Sequence, residues 1–222
     1  MNRTFVHIPK NAGMTIRHAS LPGVVISGPR QHRSKEYTEA VRDHMAARGE
    51  HPGFEHARWR DLNRKAQERP AFAIVRNPWA RVVSRYLYGQ LVAERGRAPE
   101  HAHLCEYPVM TFGEFLDERH QWGGEPYYWH RASRGWYQQV DYVADRHGDI
   151  KCDILRCEHL AEDLERYAGW TLPPTRRNVN PDRRPYQEFY TPETRGIVAD
   201  WYVLDINTFG FTFEGAATRE IL

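Results

Sequence analysis

A short segment near the start of the sequence combines a lysine, a glycine and a hydroxyl at spacings that suit anion binding. Residues 7–15 read HIPKNAGMT, after a β-branched and aromatic run and before a predicted short helix. In a strand–turn–helix segment of this kind, successive backbone N–H groups converge on a phosphate and the helix start adds positive potential. Lys10 offers a point charge, Gly13 close backbone approach and Thr15 a hydroxyl. The segment predicts a phosphate site; the alternative is an ordinary turn with a solvated lysine.

The order of lysine and glycine separates this segment from the Walker A loop of nucleotide kinases. A Walker A loop carries its lysine directly after the last glycine, whereas Lys10 precedes Gly13. A P-loop phosphotransferase also needs a Mg²⁺-binding aspartate at a strand end, and none of the predicted strands ends on a fitting one. A nucleotide phosphotransferase is therefore kept only as an alternative interpretation.

A second segment carries an arginine and a serine that suit another anion. Arg76 follows the near-continuous apolar run of residues 71–75, which is typical of an interior strand of a parallel sheet. Open α/β sheets bind ligands at the carboxyl ends of their strands. Asn77 and Pro78 then begin a predicted helix. Ser84 lies about 9 Å along that helix from Pro78, so an anion touching Arg76 and Ser84 would lie beside the first two turns.

The two segments together resemble the sulfotransferases that use 3′-phosphoadenosine 5′-phosphosulfate (PAPS). The similarity is greatest to the carbohydrate O-sulfotransferase branch that includes heparan-sulfate 2-O-sulfotransferase. That family carries H-I-P-K-x-x-G-x-[ST] after its first strand, which residues 7–15 match. It carries R-[DN]-P-x-x-R-x-x-S-x-Y after a later strand, which residues 76–86 match at every specified position.

Weaker similarities extend the resemblance over nearly the whole chain. Residues 156–160 resemble the family's R-F-E-x-L stretch, and residues 190–193 and 202–211 resemble its C-terminal helix and closing F-G-[YF]. Two positions depart from the family pattern. Met14 stands where many members have a threonine, and Cys157 replaces the usual phenylalanine. Neither change removes a group that the chemistry requires.

The resemblance implies how the donor would be held. The 5′-phosphosulfate would be bound by the turn of Lys10, Asn11, Ala12, Gly13, Met14 and Thr15. Lys10 would also stabilise the leaving phosphate oxygen, and PAP, the 3′,5′-bisphosphate, would be the product. Arg76 and Ser84 would hold the 3′-phosphate. From their position in the Pro-rich loop before the last helix, Arg183 and Arg184 are predicted to close over the 3′-phosphate; the alternative for this pair is a solvated basic loop.

The resemblance also implies a general base. Residues 55–62 are similar to a family stretch in which a histidine precedes a helix and takes the proton of the acceptor, and His56 occupies that position. A side-chain pKa near neutrality suits this role, whereas the alternative is a purely structural histidine. The neighbouring Arg58 and Trp59 are predicted to contact the acceptor.

Aromatic and basic side chains cluster in residues 122–137, within a predicted acceptor-side insertion of residues 97–138. Rings stack on sugars and arginines pair with carboxylates or sulfates, so Trp129, His130 and Arg134 are predicted to bind the acceptor. The alternative is a second hydrophobic cluster. The acceptor itself is a carbohydrate or a small molecule with a hydroxyl group.

The order of predicted elements indicates an α/β fold in a single domain of residues 1–222, with a P-loop-like central parallel sheet flanked by helices. Predicted strands cover residues 4–8, 24–26, 71–75, 141–144 and 151–156, the last two joined by a tight turn at 147–149. Predicted helices cover residues 14–19, 34–47 (polar and exposed), 77–92, 112–118 and 160–167, and a last one begins at 191.

Composition limits the classes of partner. The formal net charge is +2 and no apolar run reaches 18 residues, which favours neither a nucleic-acid partner nor a membrane. Three cysteines cannot form a disulfide framework, and with no signal peptide at the N-terminus a cytoplasmic enzyme is expected. No metal is expected, because lysine and backbone amides can meet the leaving-group charge. A non-catalytic nucleotide- or glycan-binding module is a third interpretation, and the oligomeric state is left open.

Overall fold

A parallel sheet forms the centre of the computed structural model, which describes residues 1–32, 34–47, 52–94, 110–122, 136–173 and 184–218. Its strands are β1 (Arg3–Val6), β2 (Val24–Ile26), β3 (Ala71–Val75) and β4 (Asp153–Arg156), in the order β2-β1-β3-β4. All neighbouring strands run parallel. Because the chain places β2 on one side of β1 and β3 on the other, the point where the strand order reverses lies between β1 and β3. Open parallel sheets bind ligands at this point.

Helices flank the sheet, which confirms the predicted α/β class. In chain order they are α1 (Gly13–Ala19), α2 (Lys35–Ala46), α3 (Arg64–Gln67), α4 (Pro78–Glu94), α5 (Phe112–Trp122), α6 (Gln139–Val143), α7 (Leu160–Ala168), α8 (Pro192–Trp201) and α9 (Val203–Phe209). Within the described residues, no helix is long and apolar enough to cross a membrane.

The sheet is buried on both faces, as the apolar character of residues 71–75 predicts. Successive side chains of a strand point to opposite faces. Ala73 and Val75 therefore join one core, with Trp79 of α4. Phe72 and Ile74 join the other, on the side of α1 and α7. β3 is therefore an interior strand of the sheet, and the second anion segment begins directly after it.

Helix α2 has the predicted bounds but not the predicted exposure. Its N-cap is Ser34, whose hydroxyl accepts the N–H of Tyr37 at 3.0 Å. One face, formed by Thr38, Val41 and Met45, is buried. The face packs because Val41 and Met45 are one helical turn apart and meet Phe54 in a small third core.

The predicted strand over residues 141–144 is wrong, because Gln139–Val143 is helix α6 and only Ala144 makes an antiparallel bridge, to Ile150. The physical reason lies outside the segment: the Asp205 carboxylate accepts the N–H groups of Gln139 at 2.9 Å and Val140 at 3.0 Å. Asp205, which belongs to α9, thus caps two N–H groups that the start of a helix leaves without a partner in the helix itself. The turn before β4 is present, and β4 begins only at Asp153.

Candidate active site

The loop after β1 turns sharply into α1. Two of its non-glycine residues, Lys10 and Ala12, adopt the left-handed conformation, with φ of 68° and 58°. Such backbone is costly for residues with a Cβ and is held only by its surroundings. Ala12 is the N-cap of α1 and provides no side-chain cap, so the amides of the first turn are not capped by a side chain.

Gly13 is required by the side chain of His7. A Cβ built on Gly13 would lie 1.7 Å from His7 Nε2, well inside contact distance. The glycine conformation is helical rather than left-handed, so space and not backbone freedom is the reason for its presence. The buried His7 ring therefore fixes how the loop enters α1.

His56 lies against the same loop. Its Nδ1 is 3.0 Å from the carbonyl oxygen of His7, and the two imidazole centroids are 4.3 Å apart. A carbonyl only accepts, so Nδ1 of a neutral His56 carries the hydrogen and Nε2 carries the lone pair. Burial, with the nearby His56 and Arg17, holds the pKa of His7 well below its usual range. His7 is thus neutral at pH 7. In the neutral form of His56, Nε2 is the proton-accepting atom, and it lies 3.9 Å from Glu55 Oε1.

Lys10 lies among other cations. Its Nζ is 3.9 Å from the centroid of the Tyr88 ring. Arg76 Nη1 donates to the backbone carbonyl of Lys10 at 3.1 Å. Burial lowers the pKa of Lys10 to about 7, and the charges of Arg76 and Arg85 act in the same direction. In the part of the chain that the structure describes, neither Lys10 nor Arg76 has a carboxylate oxygen within 4 Å.

One face of α4 turns toward this loop. Arg81 Nε donates to the carbonyl of Pro9 at 3.1 Å, and Tyr88 covers Lys10. Ser84 lies three residues after Arg81 and four before Tyr88, so the helical period places it on the same face. The half-buried Ser84 therefore lies on the helix face that carries Arg81 and Tyr88, and its role at an anion stays a prediction.

Asn77 joins β3 to α4, and its predicted capping role is confirmed. Its Oδ1 accepts the N–H groups of Trp79 at 3.1 Å and Ala80 at 3.3 Å. The backbone N–H of Asn77 donates to Glu158 Oε1 at 2.8 Å. Glu158 belongs to the segment that resembles R-F-E-x-L, so that segment supports the end of β3.

Asn11 ties the loop to β3. Its buried Nδ2 donates to the carbonyl of Ile74 at 2.7 Å and to Gln139 Oε1 at 2.6 Å. The side-chain nitrogen of this predicted donor-binding residue is thus engaged with the protein, and its backbone N–H donates to the carbonyl of Ile8 at 3.4 Å. Met14, by contrast, exposes 37% of its surface on α1.

The predicted acceptor residues are only partly within the described chain. Arg58 makes a two-pronged ion pair with Asp61, at 2.6 and 3.1 Å, and the ring of Trp59 packs against the larger core. Arg184, predicted at the donor, is exposed and lies over the Phe189 ring, 4.5 Å from its centroid. Outside the described residues lie Trp129, His130, Arg134 and Arg183. All these roles stay predictions.

Three residues at the site were not identified from the sequence as functional, namely His7, Tyr88 and Gln139. Tyr88 could have been found, because its spacing from Arg81 and Ser84 puts it on the same helix face. Gln139 carries no local signal. Among the described residues, no group of three or more His, Cys, Asp or Glu side chains has the arrangement of a metal site.

Comparison with known proteins gives one match that covers most of the chain. A family model described as "Sulfotransferase family" matches residues 4–212. No curated protein and no solved structure gave a significant match. The matched region contains both anion segments, His56, and all residues of the four strands except Arg3, the first residue of β1.

Proposed function

Because the chain belongs to the sulfotransferase family, we propose that it transfers the sulfuryl group of PAPS to an acceptor hydroxyl. The acceptor is a carbohydrate or a small molecule, and PAP is the second product. The proposal rests on two motifs that each supply a cation at the end of a neighbouring strand, and on a histidine held beside the first of them.

One observation carries the choice of donor. Lys10 and Arg76 stand at the ends of β1 and β3 and are joined by the hydrogen bond from Arg76 Nη1 to the Lys10 carbonyl. Their mutual repulsion contributes to the low pKa of Lys10, and no described carboxylate within 4 Å neutralises either. Cations held together in this way suit a ligand with several negative charges, and PAPS has a phosphate at each end of its ribose.

The residues at hand fit the chemistry of such a donor. When bound, it supplies an electrophilic sulfur, which forms a bond to the acceptor oxygen as its bond to the 5′-phosphate oxygen breaks. Lys10 neutralises the negative charge that develops on that oxygen. Positioning and charge stabilisation of this kind usually supply most of the rate enhancement in group transfer. His56 Nε2 takes the acceptor's proton, while its Nδ1–H stays on the His7 carbonyl. Arg76 and Ser84 orient the 3′-phosphate.

The test measures PAP binding and PAPS turnover with a panel of hydroxyl acceptors. Arg76→Ala is expected to weaken PAP binding about ten- to a hundred-fold, which corresponds to a lost charge-assisted hydrogen bond. Arg64→Ala is the matched control, because Arg64 makes a surface ion pair with Glu68 on α3, away from the loop. Tight binding of ATP with Mg²⁺ and none of PAP would overturn the proposal in favour of a phosphotransferase. PAP binding without turnover on any acceptor would favour a binding module.

A further inference from the structure

We propose that Gln139 is a positioning residue that sets the spacing between the two donor-binding segments, and so the protein's preference for a ligand with two phosphates. The inference rests on the proposed PAPS site. It concerns α6, which neither anion motif includes and whose residues 141–143 the sequence alone assigned to a strand.

The Gln139 amide joins the two segments directly. Its Oε1 accepts the backbone N–H of Arg76 at 2.8 Å and the Asn11 Nδ2 at 2.6 Å. Its Nε2 donates to the carbonyl of Arg76 at 2.9 Å. The side chain is fully buried. One amide therefore holds the loop after β1 and both backbone groups of the first residue after β3.

The sheet itself does not fix this spacing. The pairing of β1 with β3 ends at Val6 and Ala73. Lys10 and Arg76 both lie past that point, where no strand-to-strand hydrogen bond sets their separation. Beyond the last pair, side chains supply the connection: Arg76 Nη1 donates to the Lys10 carbonyl, Asn11 donates to the Ile74 carbonyl, and Gln139 binds both Asn11 and Arg76. Gln139 thus continues the link between β1 and β3 with side-chain hydrogen bonds.

A buried carboxylate fixes which way the amide faces. Asp205 Oδ2 lies 3.1 Å from Gln139 Nε2 and also accepts the Gln139 backbone N–H. Burial raises the pKa of Asp205 to about 6, so at pH 7.5 it is largely ionised and only accepts hydrogen bonds. The amide nitrogen must then face Asp205 and the amide oxygen must face Arg76 N–H. With this assignment both hydrogens and both lone pairs of the amide are used.

The functional consequence concerns a ligand that engages both segments at once. Binding of the second phosphate is intramolecular once the first is held, and its benefit depends on how well the site spacing matches the ligand. Loss of Gln139 keeps the Lys10 and Arg76 side chains but leaves only the Arg76 Nη1–Lys10 carbonyl and Asn11 Nδ2–Ile74 carbonyl hydrogen bonds between the segments, so their separation is less well fixed. Each single phosphate should then bind much as before, while a bisphosphate should lose affinity.

The experiment compares calorimetric affinities for PAP, 5′-AMP and 3′-AMP in the wild type, Gln139→Leu and Gln67→Leu. Gln67 is a matched control, because its Nε2 makes one hydrogen bond, to the carbonyl of Trp59, away from the two segments. In Gln139→Leu we expect PAP to bind about ten-fold or more weakly, and each mononucleotide to change less than about three-fold. A role limited to stability would not change the ratio of PAP to mononucleotide affinity.

Equal losses for all three nucleotides, or unchanged PAP affinity in Gln139→Leu, would overturn the inference and leave the PAPS site standing. Failure of the wild type to bind PAP would overturn the proposed function and the inference with it. If circular dichroism shows that Gln139→Leu does not fold, Gln139→Glu replaces it. That variant keeps the size of the side chain but loses at least one of the two amide donors, since even a protonated carboxyl group has only one O–H, so the same selective loss of PAP binding is expected.

Discussion

The His56 side chain donates its Nδ1 hydrogen to the backbone carbonyl of His7 at 3.0 Å, which makes one residue of the first anion segment the support for the proposed base. The contact links the proton-accepting group to the segment that carries Lys10. Any change that moves His7 should therefore also move His56 relative to the leaving-group cation.

His56→Ala is expected to lower PAPS turnover about 10²- to 10⁴-fold, the usual contribution of a positioned base. PAP binding should stay within about three-fold of wild type, because His56 belongs to neither proposed phosphate site. Single-turnover kinetics and calorimetry on protein shown to be folded by circular dichroism measure the two effects. His147→Ala, in the exposed turn before β4, is the control. Near-normal turnover in His56→Ala would mean that another group takes the proton.

Gly13→Ala should damage both stability and turnover. The added Cβ would stand 1.7 Å from His7 Nε2, so the His7 ring must move, and overpacking of this kind costs about 1–3 kcal/mol in the free energy of unfolding. Turnover should fall because the His7 carbonyl that orients His56 moves too. Urea denaturation and steady-state rates measure the two effects.

Gly113→Ala provides the matched control for Gly13. Gly113 lies in α5, and a Cβ added there would meet no atom within 4 Å. Alanine at this position should therefore raise stability by up to about 1 kcal/mol and leave turnover unchanged. Similar behaviour of the two variants would contradict the steric role assigned to Gly13.

The pKa of Lys10 near 7 predicts that PAP affinity falls as the pH rises above 7. Above pH 7, Lys10 in the free protein loses its proton. PAP binds best to the protonated Lys10, so binding takes up a proton. The dissociation constant of PAP therefore rises by up to about ten-fold per pH unit. Calorimetry between pH 6.5 and 9, in buffers of different ionisation enthalpy, measures this uptake. Lys10→Arg keeps its charge over this range and should lose the dependence; a wild-type affinity that is flat with pH would contradict the assignment.

The lowered pKa of Lys10 also affects the free energy of unfolding of the protein without ligand. Between pH 7 and the ordinary lysine pKa of 10.5, the unfolded chain holds a proton on Lys10 that the folded chain lacks. Stability rises with pH wherever the unfolded state binds more protons. The contribution of Lys10 therefore makes the free protein more stable as the pH rises through this window. Lys10→Met should remove that slope in chemical denaturation.

Much of the sheet and of the candidate site could be predicted because the signals are local. The apolar run of residues 71–75 coincides with β3, since a strand buried on both faces needs apolar side chains at every position. Asn77 and Pro78 mark the start of α4 by capping chemistry. The sequence could predict that Lys10 and Arg76 lie near each other, because parallel strands end at one edge of a sheet.

The remaining features depend on partners distant in the sequence. A short apolar stretch such as residues 140–143 suits a strand and a helix equally, and Asp205, which caps it as a helix, lies 65 residues beyond Val140. Gln139 meets Asn11 across 128 residues. The need for Gly13 is likewise invisible, because it arises from the orientation of the His7 ring.

A buried ion pair between α4 and α5 supports the helix that carries Ser84 and Tyr88. Arg85 Nη2 lies 3.1 and 2.9 Å from the two carboxylate oxygens of Glu118, and both side chains are buried. The Arg85 guanidinium also lies over the rings of Phe115 and Trp136. Because a buried cation without its counter-charge is strongly unfavourable, Glu118→Gln should lower the free energy of unfolding by about 3–5 kcal/mol.

Glu68→Gln is the control for this last prediction, because the Glu68 carboxylate pairs with Arg64 at 2.7 Å on the surface. Exposed pairs contribute little, so this variant should unfold at nearly the wild-type urea concentration. Equal stability of the two variants would show that burial does not strengthen the Arg85–Glu118 pair.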